Sequence, residues 1–298
     1  MNSINKIQLE PQKFLDPKFW TSINPALHVE DKTFLTQHSA LRFDAVKLKE
    51  INSDLVKEGY FQLEPQKWQL PISLMAEAVK KFVDMGWPTV FALVYDEFFL
   101  LPYCVSEILS SVLGKDFKQL PDFWAWYIDP LKSEGGWKPH RDKGVDSLTE
   151  KGEPKSLTVW IPLTDATSQN GCMYILPANW DPYFKDPTIK SDKIDYHNIR
   201  ALPANAGSVL GWNQAILHWG GRSSEKIKIP RISVAFEFQR GDVPPYNSPF
   251  ISVNPVMDLK SRVQFICKQI LQYKHMYPLS DEVYKATVEM LTLSSNKV

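Results

Sequence analysis

Two short segments alternate so strictly that they fix the kind of sheet this chain must build. In Ser156-Leu157-Thr158-Val159-Trp160-Ile161-Pro162-Leu163 positions 157, 159, 161 and 163 are all aliphatic. In Arg231-Ile232-Ser233-Val234-Ala235-Phe236-Glu237-Phe238 positions 232, 234, 236 and 238 are all apolar. Successive side chains on a strand point to opposite faces, so each segment carries one wholly apolar face. That pattern predicts a sheet with its apolar face packed on helices. The opposite face then presents Thr158, Trp160, Arg231, Ser233, Ala235 and Glu237 to a cavity.

The rest of the chain supplies matching elements. Short runs of β-branched or aromatic residues between turn signals lie near 123–129, 137–142, 156–163, 172–177, 195–202, 207–212, 214–219 and 231–239. Eight short strands are the complement of a jelly roll. Apolar residues recur at helical spacing from Asp44, a candidate N-cap, through Val46, Leu48, Ile51 and Leu55. The same spacing returns at 73–85, 101–113, 257–273 and 280–292. Thr89 to Tyr95 reads as a β-rich stretch, and residues 1–40 as an irregular arm. The expected architecture is mainly β with flanking helices, built on a double-stranded β-helix (jelly roll, cupin-like) core. All 298 residues form one domain, with an N-terminal arm and helical support at 1–120, the core at 121–240 and C-terminal helices at 241–298.

Charge narrows the partners. Lys plus Arg and Asp plus Glu number 34 each, so no global field gathers nucleic acid or an anionic membrane. Cys104, Cys172 and Cys267 are odd in number and far apart, which argues against a disulfide framework and a zinc ribbon. No signal-peptide core or membrane-length apolar run is present, so a cytoplasmic location is expected. The expected partner is a small molecule; oligomeric state is not legible. A Gly-rich phosphate loop and a Gly-x-Ser-x-Gly elbow are both missing from the sequence.

One constellation carries chemistry. His140 and Asp142 are two residues apart, which places both on one face of an extended segment and turns Arg141 away. A third ligand must come from a distant strand, and His218 closes the apolar run Ala215-Ile216-Leu217. Two imidazoles and one carboxylate are the ligand set of a mononuclear non-haem iron(II) site with open positions. Thirteen residues on, Arg231 with Ser233 offers a planar fork and a hydroxyl suited to a dicarboxylate. A cupin-type isomerase or a dioxygenase needing no cosubstrate would share the metal ligands without that clamp. A non-catalytic small-molecule sensor on the same fold also remains open.

The ordered set Gly135-Gly136-Trp137-Lys138-Pro139-His140-Arg141-Asp142, SLTVWIPLTDA (156–166), NGCMYILP (170–177), Gly207 to His218 and PRISVAFEF (230–238) resembles the phytanoyl-CoA dioxygenase-like family over roughly residues 45 to 240. The resemblance implies an Fe(II)- and 2-oxoglutarate-dependent dioxygenase, a hydroxylase consuming O2 and releasing succinate and CO2. It implies metal ligation by His140, Asp142 and His218, and places Arg231, Ser233, Trp160 and Tyr127 around 2-oxoglutarate. Related halogenases have a small residue at the carboxylate position, so Asp142 implies oxygen rather than halide transfer. The chain departs from the family at Ala178-Asn179-Trp180, where substrate-side contacts are expected. The irregular segment 180–195 is either a lid over the cavity or a solvated connection. Seven of the ten tryptophans fall in the core region, as cavity wall or as packing.

Overall fold

The computed structural model describes residues 10–132, 134–185, 194–253 and 257–295. A 3-10 turn at Pro11–Leu15 leads into the short helices α1 (Pro17–Ile23) and α2 (Lys32–Thr36), followed by α3 (Ala45–Lys57) and strand β1 (Tyr60–Leu63). Next come α4 (Ile72–Asp84), a 3-10 stretch at Thr89–Val94, α5 (Asp96–Cys104) and α6 (Ser106–Leu113). The sheet region holds β2 (Lys118–Ile128), β3 (Ser156–Pro162), β4 (Met173–Leu176), β5 (Arg200–Leu202), β6 (Val209–Asn213), β7 (Leu217–Gly220) and β8 (Arg231–Gln239). Helices α7 (Leu259–Gln272) and α8 (Asp281–Ser295) follow.

The strands form two antiparallel sheets, one ordered β1-β6-β3-β8-β2 and one ordered β5-β4-β7. The sheets face each other across a cluster that includes Trp160, Leu210 and Ala235 from the large sheet and Met173, Ile175 and Leu202 from the small one. This is the flattened barrel that the strand pattern predicts. On the outer face of the large sheet, Leu157, Val159, Ile161, Ile232, Val234, Phe236 and Phe238 join Met75, Val79 and Phe82 of α4 and Val263, Ile266 and Ile270 of α7 in one core. Each such side chain contributes about 2 kcal/mol by leaving water. The strict alternation of β3 and β8 is therefore the record of two different environments.

Several expectations change. More described residues lie in helices than in strands, so the protein is a helix-rich α+β structure around a β core and not mainly β. There are eight named strands, but 137–142 is not among them, and β1 is. That segment pairs only through the isolated bridges Gly135↔Arg222 and His140↔His218, since Pro139 has no N–H to donate to a ladder. Thr89–Val94 forms a 3-10 helix in which Val90 to Val94 are all buried, and a short, wholly apolar run has no periodicity to distinguish strand from helix.

The N-terminal arm is structural. Asp16 and Asp31 cap α1 and α2 through backbone N–H bonds, which places Phe14 and Trp20 in full burial against Phe91. Asp44 caps α3 as expected, accepting from the Lys47 N–H at 2.7 Å. Of the segment 180–195 proposed as a lid, residues 186–193 lie outside the described residues. Its first part is anchored: buried Asp181 accepts from Arg141 Nη2 at 2.6 Å.

Candidate active site

The cavity-facing side of the large sheet meets the small sheet around His140, Asp142 and His218. One ligand atom from each of these residues falls within a 4.8 Å group. His140 and His218 face each other across the isolated bridge, with His140 N–H donating to His218 O at 3.1 Å and His218 N–H donating back at 3.0 Å. This single antiparallel rung sets the two imidazoles side by side, with ring centroids 4.4 Å apart. Arg141 points away, as its intervening position requires, and donates to Ala215 O at 2.7 Å.

The hydrogen bonds leave three ligand atoms aimed at a common point. His140 Nδ1 lies 2.7 Å from Lys138 O, and His218 Nδ1 lies 3.2 Å from Ile216 O. A carbonyl accepts only, so both Nδ1 atoms carry the proton and both Nε2 lone pairs are free. Those Nε2 atoms sit 3.4 and 3.6 Å from Asp142 Oδ1. The other carboxylate oxygen is occupied, because Asp142 Oδ2 accepts from Thr158 Oγ1 at 2.9 Å and from Trp212 Nε1 at 3.2 Å. Thr158 and Trp212 are paired residues of β3 and β6, so one rung of the ladder fixes the carboxylate. Outer partners of this kind orient ligands and fix their tautomers.

Electrostatics agrees with the geometry. Burial by itself would raise the Asp142 carboxyl, but His218, His140 and Thr158 hold it well below its ordinary value. Burial pushes the His218 imidazole down despite Asp142. In His140 the burial effect is outweighed by the bond to Asp142, and the ring ends above its ordinary value. An ionised carboxylate beside a neutral buried imidazole is the protonation state a cation binds.

Arg231 opens β8 beside this cluster. It is 2% exposed. Its Nη1 donates to Ser233 Oγ at 2.9 Å, its Nε has no partner, and its Cζ lies 5.8 Å from the Trp160 ring centroid. Among the described residues no carboxylate pairs with it. Burial lowers it to about 10, which keeps it charged at neutral pH. Trp160 Nε1 is a second buried donor without a partner. Glycines keep this corner open: a Cβ at Gly136 would lie 2.8 Å from Gly220 Cα and 3.4 Å from Arg231 Nη2, and one at Gly220 would lie 3.2 Å from the same Nη2.

Six of the seven residues singled out in the sequence therefore converge: His140, Asp142, His218, Arg231, Ser233 and Trp160. Tyr127 does not. It follows Trp126 on β2, points to the opposite face of the sheet and packs against the helix-side core, so it has no place beside a cosubstrate. Sequence reasoning gave no role to Gly136, Gly220 or Trp212. Alternation had already put Thr158 on the cavity face, which was the available signal for it.

Two facing antiparallel sheets with ligands at the mouth define the class, a double-stranded β-helix metalloprotein. Residues 64–229 match the family described as phytanoyl-CoA dioxygenase, more than half of the chain. The protein belongs to that family. Arg231 and Ser233 lie just beyond the matched segment. No curated protein matches the chain by sequence. Among solved structures, it is similar to the non-haem monooxygenase ThoJ in its nickel complex, at 13% identity over 79% of this chain and 99% of that one, with a TM-score of 0.52. It is similar to the non-haem α-ketoglutarate-dependent carbocyclase SnoK from nogalamycin biosynthesis at 17% identity over 69% and 94%, with a TM-score of 0.51. AviO1 from Streptomyces viridochromogenes Tue57 gives 13% identity over 68% and 99%, also with a TM-score of 0.51. At such identities the likeness is one of fold.

Proposed function

We propose that the protein is an Fe(II)- and 2-oxoglutarate-dependent dioxygenase that oxidises a small molecule by oxygen transfer, a hydroxylation. The observation that carries this reading is the buried, unpartnered Arg231 guanidinium sharing a cavity with His140, Asp142 and His218. A buried charge without a counter-ion costs several kcal/mol, so the pocket favours an anion that arrives with the chemistry.

The residues fit both groups. His140 Nε2, His218 Nε2 and Asp142 Oδ1 would hold iron, with Thr158 and Trp212 keeping the carboxylate oriented. The Arg231 fork and the Ser233 hydroxyl would hold the far carboxylate of 2-oxoglutarate, and Trp160 Nε1 supplies a further donor. When bound, iron(II) with 2-oxoglutarate and O2 supplies oxidative decarboxylation to succinate and CO2 and the oxidising power for a substrate C–H bond. The protein's part is placement: rigid strands fix the ligands, and the indoles of Trp160 and Trp212 line the cavity and keep water from it. Asp142 fills the carboxylate position, which favours transfer of oxygen over halide.

A cosubstrate-free metal protein would have no use for Arg231. The test is turnover of 2-oxoglutarate by iron-loaded protein under labelled O2 with chloride present. One labelled oxygen should enter succinate even without substrate, and a substrate, once found, should gain one labelled oxygen. Succinate formation absent in every condition, or a chlorinated product, would overturn the proposal.

A further inference from the structure

The cavity that holds the metal cluster has a second end, away from Arg231, and its walls are aromatic. Trp124 and Trp126 project from the same face of β2 with ring centroids 5.3 Å apart and planes within 18°. Trp137 stands nearly perpendicular to both, at 5.2 Å and 75° from Trp124 and at 6.0 Å and 88° from Trp126, and lies 5.0 Å from the His140 ring. Tyr273, at the end of α7, closes the corner 4.7 Å from Trp124. Its hydroxyl donates to buried Asp122 Oδ1 at 2.7 Å, and Asn247 Nδ2 donates to the same carboxylate. Tyr273 lies outside the segment that matches the family, so this wall belongs to the chain's own C-terminal part.

Three features define what the corner accepts. First, its faces are flat π-surfaces at right angles, the arrangement that receives a flat ring by stacking on one wall and edge contact with the other. Secondly, every charge lining the cavity is already committed. Arg141 pairs with Asp181 at 2.6 Å and Lys143 with Glu237 at 3.0 Å. Asp142 and Arg231 are taken by the metal and the cosubstrate on the reading proposed above. A charged substrate group would find no counter-charge. Thirdly, Trp137 Nε1 is buried and has no hydrogen-bond partner, so the corner contains an unused donor. The cavity encloses about 230 Å³, below the ~300–1,000 Å³ of sites that engulf drug-sized ligands. Shared with 2-oxoglutarate, it has space for a ring and not for a bulky skeleton.

We infer that the substrate inserts an uncharged planar ring bearing an acceptor oxygen into the corner formed by Trp126, Trp137 and Tyr273, and that Tyr273 is a specificity-determining residue. This inference rests on the proposed dioxygenase reading, through the charges assigned to metal and cosubstrate. Stacking on Trp126 puts the ring beside His140 and hence next to the metal position, while the remainder of the molecule projects through the cavity mouth.

The test is equilibrium binding, independent of turnover. Full-length protein, kept anaerobic with Mn(II) and 2-oxoglutarate, is titrated with 2-naphthol, with saturated decahydro-2-naphthol and with the N-methylquinolinium cation. The naphthol should bind about fivefold or more tighter than either competitor. Tyr273→Leu should weaken naphthol about fivefold without moving 2-oxoglutarate affinity, and Tyr273→Phe, which keeps the ring, should restore most of it. No naphthol binding, equal or tighter binding of the saturated alcohol or the cation, or an unchanged affinity in folded Tyr273→Leu protein would overturn the inference. A 2-oxoglutarate titration in the same sample separates the two readings. If the cosubstrate fails to bind, the dioxygenase proposal falls, while naphthol titration of protein alone still reports on the ring corner.

Discussion

Arg231 and Arg262 are both buried guanidinium groups, at 2% and 0% exposure, and their surroundings differ in one respect. Arg262 on α7 has an internal counter-ion: it pairs with Asp96 of α5, donates to Val94 O at 2.9 Å and Met257 O at 2.7 Å, and lies over the Phe99 ring. Asp96 in turn accepts from the backbone N–H groups of Glu30 and Asp31, which ties the N-terminal arm to the C-terminal helix. Arg231 has a serine hydroxyl, an indole face and an unpartnered Nε. A charge whose partners are all internal holds a fold together. A charge left short of partners beside a set of metal ligands is held in readiness for something that binds.

The contrast can be broken most forcefully at Asp96. Asp96→Ala leaves Arg262 charged and uncompensated, and should destabilise the protein by ~3–5 kcal/mol, read as a fall in denaturant midpoint at constant slope. A change within experimental error would remove the ion pair from the stability of the fold. Arg231→Leu should do the opposite to stability. The unliganded protein should be as stable or more so, because an unpaired buried charge is replaced by apolar volume. Its 2-oxoglutarate affinity should fall by ~2 kcal/mol or more, roughly thirtyfold, in calorimetry of Mn(II)-loaded protein. In the unmodified protein the same affinity should persist at neutral pH and decline as pH rises toward about 10, the value to which burial lowers Arg231. The sign follows because only the protonated guanidinium holds the carboxylate.

Smaller effects sharpen the comparison within the site. Thr158→Val keeps shape but removes the donor to Asp142 Oδ2, and should weaken metal binding about tenfold. Unchanged affinity would mean that Trp212 alone orients the carboxylate. The smallest expected effect is at Tyr127. Because it faces the helix-side core, Tyr127→Phe should alter 2-oxoglutarate affinity by less than ~0.5 kcal/mol. A larger loss would restore it to the cosubstrate pocket.

Much of the site was legible because its signals are local. The two-residue step from His140 to Asp142 and the alternation through Trp160 and Arg231 survive translation into three dimensions, since an extended chain has a fixed period. Chain direction at Thr89–Val94 was not legible. A fully buried apolar run looks the same as strand or helix, and burial on all sides is a tertiary fact. The strand expected at 137–142 failed for a related reason: its residue types suit a strand, but Pro139 and its crossing position leave only isolated rungs. The arm at 1–40 looked irregular because its helices are too short to display a period, although Phe14 and Trp20 are among the most buried side chains.

By itself the sequence determined the two-faced sheet, the identity of three metal-ligand candidates and the presence of a dicarboxylate clamp, because each depends on residue type and on spacing along one strand. Only the tertiary structure decided that Gly136 and Gly220 must meet backbone to backbone above Arg231, that Tyr127 faces away, and that Tyr273 walls the cavity from the far end of the chain. Those contacts join segments separated by tens of residues. No local periodicity constrains such pairs; they follow from how the two sheets close and where the helices pack against them.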